Sequence, residues 1–286
     1  MKLVRYRSAT GEKPGLILDG EVFDLSGSFS TLNPRPPTLD DIEAIAAIPA
    51  KALRAVGKGV AFGPPLRGIG KIIGVGLNYR DHAEETGLPV PKEPTLFLKP
   101  TSALCGPTDD LVIPRDGKSV DWEVELAVVI GKPGVYIAEG DALDHVLGYC
   151  VGIDFSERDF QYNRGGQGFK GKSPDTFGPL GPFLATSDEI VDPQDLMMRL
   201  SVNGKLQQNG STQEMIFSVA ELVSYISRFM SLQPGDVILT GTPAGVGRGH
   251  KPPVYLQPGD VVVASIEGLG EQTHKVVPGA PPDASL

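Results

Sequence analysis

The pattern of apolar and polar positions changes character along the chain. In the first stretch, Leu16-Ile17-Leu18 and Val22-Phe23 flank Asp19-Gly20, a dipeptide suited to the positive φ angles of a two-residue turn, and a β-hairpin is predicted. Between Leu39 and Val56, the residues Ile42, Ile45, Ala46, Leu53 and Val56 fall at roughly helical spacing with a break at Pro49, and Gly57 to Gly70 reads as a linker. This implies a small N-terminal hairpin and helix domain at 1–70 and a larger domain at 71–286.

From Lys71 onward short β-type runs follow one another: Ile72 to Val75, Thr95 to Leu98, Leu111 to Ile113, Trp122 to Ile130, Val146 to Phe155, Val237 to Thr240 and Val261 to Ile266. Their number predicts a folded or rolled sheet and a β-rich α+β class. Pro-Gly-Asp-Val occurs at Pro234 and again at Pro258, where Pro then Gly suits a type II turn leading into a strand. One helix is predicted over Val219 to Met230, with Ser218 and Glu221 spaced as a capping box and Val219, Leu222, Val223, Ile226 and Met230 on one core-packing face.

Composition supports a turn-rich β protein, since 36 Gly and 26 Pro in 286 residues exceed ordinary usage. Lys plus Arg number 26 against 35 Asp plus Glu, a net charge of -9. That sign disfavours a nucleic acid or an anionic membrane as partner. Met1 to Arg7 is polar and charged, and no later run approaches the roughly 18 apolar residues of a membrane span, so the protein is placed in the cytoplasm. Cys105 and Cys150 make no metal-ligand or redox spacing and are read as free structural thiols.

Two motif readings fail on context. Gly166 to Ser173 fits the phosphate-loop expression, yet the segment before it, Ser156 to Arg164, is charged, and Pro174, Pro179 and Pro182 prevent a long helix after it. Gly74-Val-Gly76 lacks the third glycine of a dinucleotide fingerprint, and neither GxSxG nor HExxH is present.

The carboxylates of the apolar runs are more informative. In Asp121-Trp-Glu-Val-Glu-Leu-Ala-Val-Val-Ile130, the period of two sets Glu123 and Glu125 on the face of Ala127 and Val129, while Trp122, Val124, Leu126, Val128 and Ile130 occupy the other. Both faces are apolar, so the strand is expected to be buried and its acids to need a cation or a proton. Structural ion pairs with Lys or Arg would satisfy that need, and so would a metal. Asp154 ends the apolar run Val146 to Ile153 and supplies a third carboxylate. An all-oxygen donor set suits Mg²⁺, or Mn²⁺, better than zinc. His82 lies in Asn78 to Gly87, read as a short helix with Asp81 as cap, Glu84 as its box partner and Gly87 as stop. Glu85, three residues on, shares its side, the arrangement of a water-activating dyad; a solvated helix histidine is the plainer alternative.

Taken together, Gly76 to Glu85, Phe97-Leu-Lys99-Pro100, Glu123-Val-Glu125, Asp154 to Gln161, Lys172-Ser173 and Gly241-Thr242-Pro243 resemble the fumarylacetoacetate hydrolase superfamily, in order, over residues 71 to about 270. The resemblance implies a mixed, rolled β-sheet catalytic domain with a small N-terminal domain, usually in a homodimer. It implies Glu123, Glu125 and Asp154 as metal ligands and His82 with Glu85 as the dyad on a lid-like helix. It also implies Lys172 as the group that polarises the substrate, and Arg158, Gln161 and Thr242 as holders of its carboxylate and oxygens. Lys99 matches only a structural neighbour of the site. Ser156 to Gln161 and Gly171 to Gly178 are similar to the branch containing 2,4-diketo-3-deoxy sugar-acid hydrolases and proteins labelled ureidoglycolate lyase. The expected activity is Mg²⁺-dependent hydrolysis of the C3–C4 bond in a small 2,4-dioxo acid such as an acylpyruvate, giving a 2-oxo acid and a carboxylic acid. Decarboxylation of an oxaloacetate-like acid or isomerisation of a dioxo acid could use the same residues, and a non-catalytic binder of metal or a small ligand is the reading from another class.

Overall fold

The strands assemble into two large sheets and a two-stranded ladder of Val120–Asp121 with Ser156–Glu157, in a computed structural model that describes residues 1–27, 29 and 35–279. The larger, 12-stranded sheet runs Arg54–Gly57, Glu21–Asp24, Gly11–Leu18, Lys2–Ser8, Gly178–Thr186, Val146–Ile153, Val124–Ile130, Val237–Leu239, Ile72–Gly76 and Thr95–Lys99, with two short strands pairing off this path. It is mixed: Val237–Leu239 pairs with Ile72–Gly76 in parallel, while its pairing with Val124–Ile130 is antiparallel. A 5-stranded sheet runs Lys205–Ser211, Met197–Val202, Val261–Ile266, Gly270–Pro278 and Leu111–Ile113. The architecture is the β-rich, mixed-sheet α+β class that the sequence predicts.

The central strands are apolar on both faces because each face meets a different partner. Val124, Leu126, Val128 and Ile130 pack into a core shared with Met198, Leu200, Val262 and Ala264 of the second sheet and with Leu222 and Ile226 of a helix. Ala127 and Val129 point the other way, into a core with Leu3, Leu16, Leu25 and Ile45 of the N-terminal segment. Each fully buried aliphatic side chain contributes about 1.5–3 kcal/mol. The N-terminal strands continue the same sheet, through Lys2 opposite Ala185 and Leu3 opposite Leu184. Glu125 lies at the start of this strand, on the Ala127 face, and Glu123 immediately precedes it; both line the cavity described below.

The predicted hairpin forms, with Leu18 opposite Glu21 and with Asp19 and Gly20 at φ 49° and 75°. In both Pro-Gly-Asp-Val segments the glycine takes positive φ, 85° at Gly235 and 99° at Gly259. Ser218 and Glu221 form the expected capping box on a helix that ends at Ile226, short of Met230. The first helix is Leu39–Ala46, capped by Thr38, but Leu53 and Val56 do not continue it. After the Pro49 break the chain makes a short 3-10 turn and joins the sheet edge as Arg54–Gly57. No helix of the described residues is long and apolar enough to cross a membrane. Cys105 and Cys150 are free and buried.

Candidate active site

All nine side chains expected at the site line one cavity of about 1850 Å³. Glu123, Glu125 and Asp154 each place one carboxylate oxygen within 4.8 Å of the others. Antiparallel pairing of Val124 with Ile153 brings the start of one strand to the end of the other, and the Asp154 N–H donates to Glu123 O at 2.9 Å. Residues far apart in sequence thereby converge.

The cations around these acids are just as ordered. Lys172 Nζ donates to Glu123 Oε2 at 2.6 Å and to Asp154 Oδ2 at 2.5 Å. Arg158 donates through Nη2 to Glu123 Oε1 at 2.6 Å and through Nε to Asp121 Oδ2 at 2.8 Å. Lys99, buried, donates to Asp154 Oδ1 at 2.5 Å. Three cations therefore face four carboxylates, and Glu125 is the acid left over: among the described residues it takes one hydrogen bond, from the Gly241 N–H at 2.8 Å, and no ion pair. The ion-pair alternative thus holds for Glu123 and Asp154 but not for Glu125.

Protonation follows this geometry. Burial pushes the Glu125 carboxyl well above the usual range, and the charges of Asp154 and Glu123 add to it. Burial also opposes the Glu123 charge, but Arg158 and Lys172 outweigh it and hold that carboxyl below the usual range. For Lys172 the burial penalty is overcome by Asp154 and Glu123, which raise the ammonium's pKa; for Lys99 burial wins, and its pKa is lowered despite Asp154. A divalent cation fits this donor set: the oxygens are hard, converging and short of positive charge at Glu125.

His82 and Glu85 lie on the Arg80–Thr86 helix. His82 Nδ1 stands 2.9 Å from Glu85 Oε2, and Glu85 Oε1 accepts from the Gly245 N–H at 2.9 Å. The carboxylate fixes Nδ1 as the protonated nitrogen and leaves Nε2 as the acceptor. The helix stops at Gly87 with φ 67°, as predicted. Its start differs from the predicted Asp81 cap: Tyr79 is the N-cap, without a side-chain bond, and Asp81 in the first turn accepts from the His82 and Ala244 N–H groups. Asp81 is thereby drawn into holding the Gly241 to Gly249 loop, which explains why no capping box forms. Asn78 anchors the segment below, bonding Phe217 and Thr240.

The expected substrate-holding residues are committed to differing degrees. Arg158 Nη1 donates to Gln161 Oε1 at 2.9 Å, leaving the Gln161 NH₂ as the donor for a ligand. Thr242 Oγ1 donates to Val124 O and accepts from Gln208 Nε2, each at 2.8 Å. Its hydroxyl proton is spent, so Thr242 offers a ligand its main-chain N–H. Lys172 uses two of its three N–H bonds on the carboxylates, and the third remains. The Gly166 to Ser173 segment follows a helix and turns Lys172 inward onto acids, the opposite of a phosphate cradle.

Three residues outside the expected set also build the site. Lys99, which the resemblance implies is only a structural neighbour of the site, directly bonds Asp154. Asp121 accepts from Trp122, Gly247 and Arg248 N–H groups besides pairing with Arg158. Gln208, fully buried, accepts from the Val124 N–H and donates to Thr242 and Pro243. Asp121 had a visible signal, an acid at the head of a buried strand; Gln208 had none.

Comparison with known proteins agrees with this geometry. Residues 71–277 match the Fumarylacetoacetate (FAA) hydrolase C-terminal family. A Burkholderia multivorans protein named only as a hydrolase is 51% identical over 274 residues, 95% of this chain and 97% of its own. The solved fumarylacetoacetate hydrolase from Exiguobacterium antarcticum is 36% identical with a TM-score of 0.86, covering 97% of this chain and 99% of its own. The maleylpyruvate hydrolase from Sphingobium sp. SYK-6, solved with manganese(II) and pyruvate, is 32% identical with a TM-score of 0.79, covering 98% and 100%. Solved isomerases share the fold as well. The chain belongs to the fumarylacetoacetate hydrolase family, a family of enzymes that includes hydrolases and isomerases.

Proposed function

We propose that this enzyme is a divalent-metal-dependent hydrolase that cleaves the C3–C4 bond of a small 2,4-dioxo acid, giving a 2-oxo acid and a carboxylic acid. The observation that carries the reading is one cavity holding both an acidic triad short of positive charge and a His82–Glu85 pair whose Nε2 is left to accept a proton. Hydrolysis needs both parts, whereas isomerisation or decarboxylation needs the cation site but no attacking water. Support for the metal comes also from the manganese(II) and pyruvate in the solved maleylpyruvate hydrolase. Mg²⁺ is the ion we assign, with Mn²⁺ as a substitute, because hard carboxylate oxygens suit both. In this reading the enzyme acts on small molecules in the cytoplasm as a homodimer.

Held by Glu123, Glu125 and Asp154, the cation would supply the positive charge that receives the electron pair released when C3–C4 breaks. The protein's own groups do the rest. His82 Nε2 takes a proton from water as the water oxygen bonds to C4, and Glu85 keeps the ring oriented and balances its charge. The free N–H of Lys172 and the Gln161 NH₂ are the donors for the oxygen on C4. When the bond breaks, the acyl fragment leaves as the carboxylic acid, and the proton held by His82 passes to C3, completing the 2-oxo acid.

His82→Ala tests the division of labour. Hydrolysis of acylpyruvates is expected to fall about a hundredfold or more, the scale of a lost general base, while the thermal shift induced by Mg²⁺ persists. Wild-type turnover in this variant would remove His82 from the mechanism.

A further inference from the structure

The two halves of the site are carried by different elements. Glu123, Glu125 and Asp154 stand where Val124–Ile130 begins and Val146–Ile153 ends, whereas His82 and Glu85 ride on the Arg80–Thr86 helix. Among the described residues no hydrogen bond joins a side chain of the pair directly to one of the triad. Hydrolysis nevertheless needs the water at His82 Nε2 and a ligand held at the triad in one fixed relation, since reacting atoms must meet at about 3–3.5 Å.

The 241–249 loop supplies that relation. Five of its main-chain N–H groups donate to four side-chain carboxylates: Gly241 to Glu125, Ala244 to Asp81, Gly245 to Glu85, and both Gly247 and Arg248 to Asp121. Thr242 Oγ1 adds a bond to Val124 O, between Glu123 and Glu125 in the chain, and Trp122 Nε1 donates to Gly245 O at 3.0 Å. One run of backbone is therefore pinned to the triad's strand at its start and to the dyad's helix in its middle. Asp81 spans the second attachment: Oδ1 takes the His82 N–H at 2.7 Å, and Oδ2 takes the Ala244 N–H at 3.1 Å. Gly249 completes it by what it lacks. It ends the Gly247–Gly249 3-10 turn outside the left-handed region, so its backbone suits alanine, yet a Cβ there would overlap the Glu85 carboxylate and stand 2.9 Å from Glu85 Cγ. The missing methyl is the space in which Glu85 reaches Gly245 and His82 at once.

We propose that Asp81 and Gly249 are positioning residues for the general base: through the 241–249 loop they register His82 and Glu85 against the acidic triad. The proposal rests on the reading of His82 as the group that activates water. Asp81 sets where the helix stands relative to the loop, and Gly249 sets where the Glu85 carboxylate stands relative to the imidazole. Their loss is therefore felt in turnover, while the triad keeps its hold on a cation.

Turnover of an acylpyruvate by Mg²⁺-loaded variants separates positioning from folding. Asp81→Ala and Gly249→Ala should each lower kcat about tenfold to a hundredfold, the scale of a reacting group misplaced by about 1 Å, with KM and the thermal shift induced by Mg²⁺ near those of the wild type. Asp81→Asn, whose amide oxygen still accepts from one of the two N–H groups, should regain part of the loss. In a His82→Ala background Asp81→Ala should cost nothing further, whereas a merely structural role would cost the same again. Long-range ¹H–¹⁵N spectra of the ¹⁵N-histidine-labelled protein read the pair without turnover. His82 should show the Nδ1–H tautomer in the wild type and in Asp81→Ala, which leaves both members on one helix, and a mixture of tautomers in Gly249→Ala. If the wild type cleaves no acylpyruvate, or His82→Ala cleaves it at the wild-type rate, the hydrolase reading fails, and the spectra still decide whether Gly249 places Glu85. Wild-type kcat in Asp81→Ala or Gly249→Ala beside an impaired His82→Ala, equal costs of Asp81→Ala in the two backgrounds, or an unchanged His82 tautomer in Gly249→Ala would overturn the proposal.

Discussion

Replacing Glu125 by glutamine should shift stability in opposite directions with and without a divalent cation. Without one, Glu125 is a buried carboxylate with no ion pair, pushed toward its neutral form by burial and by Asp154 and Glu123. An amide keeps the bond from the Gly241 N–H through its oxygen and adds an NH₂ donor facing those two acids. Relief of an uncompensated buried acid is set at about 2 kcal/mol, and a chain of this size gains roughly 2 °C or more per kcal/mol. The variant should therefore melt about 4 °C higher than the wild type in chelator. At a cation concentration a hundred times Kd the wild type should gain about 2.7 kcal/mol, a rise of about 5 °C. The variant, with two of three acids remaining, should gain less than about 2 °C. Differential scanning fluorimetry in chelator, then with Mg²⁺ or Mn²⁺ added, reads both numbers. A variant less stable than the wild type in chelator, or one with the full cation shift, would refute the charge accounting.

Two further outcomes follow from buried polar groups. Gln208→Leu would strand the Val124 N–H and the Pro243 carbonyl and release Thr242; a loss of about 2–5 kcal/mol in urea unfolding is expected, and a loss below about 1 kcal/mol would show the network is not needed. Burial pushes the His274 imidazole below its usual value, with Asp109 opposing only in part, so its contribution to stability is complete above about pH 6.5 and is lost as pH falls through the depressed value. The urea midpoint should therefore drop between pH 7 and pH 5 by more in the wild type than in His274→Gln, and equal drops would assign the acid sensitivity elsewhere.

What was legible in the sequence follows from where single residues carry the signal. Val124–Ile130, interrupted only by Glu125, and Val146–Ile153 are legible as apolar runs because both of their faces are covered. Lys2–Ser8 is not legible as a strand because its charges hide the buried Leu3, Val4 and Tyr6. Gly178–Thr186 holds two prolines and two glycines, which read as turns, yet it is the strand that joins the N-terminal hairpin to the rest of the sheet. Gly270–Pro278 alternates buried and exposed positions, but its buried set includes Gln272 and His274, so a hydrophobicity pattern misses it. At the site, acids in an apolar strand announced themselves by their cost. Lys99, which neutralises one of them, and Gln208, which locks Thr242, could not be separated from ordinary polar residues until the fold brought them across the cavity wall.

The hydrolase reading is tested most directly by product analysis in ¹⁸O-labelled water with an acylpyruvate and Mg²⁺. Attack at C4 by solvent water predicts equal amounts of pyruvate and a carboxylic acid, with one solvent oxygen in the new carboxylate above the background of ketone exchange. Release of CO₂ as the main outcome, or an isomer with the carbon skeleton intact, would contradict it and assign the same acidic triad to a reaction without water attack.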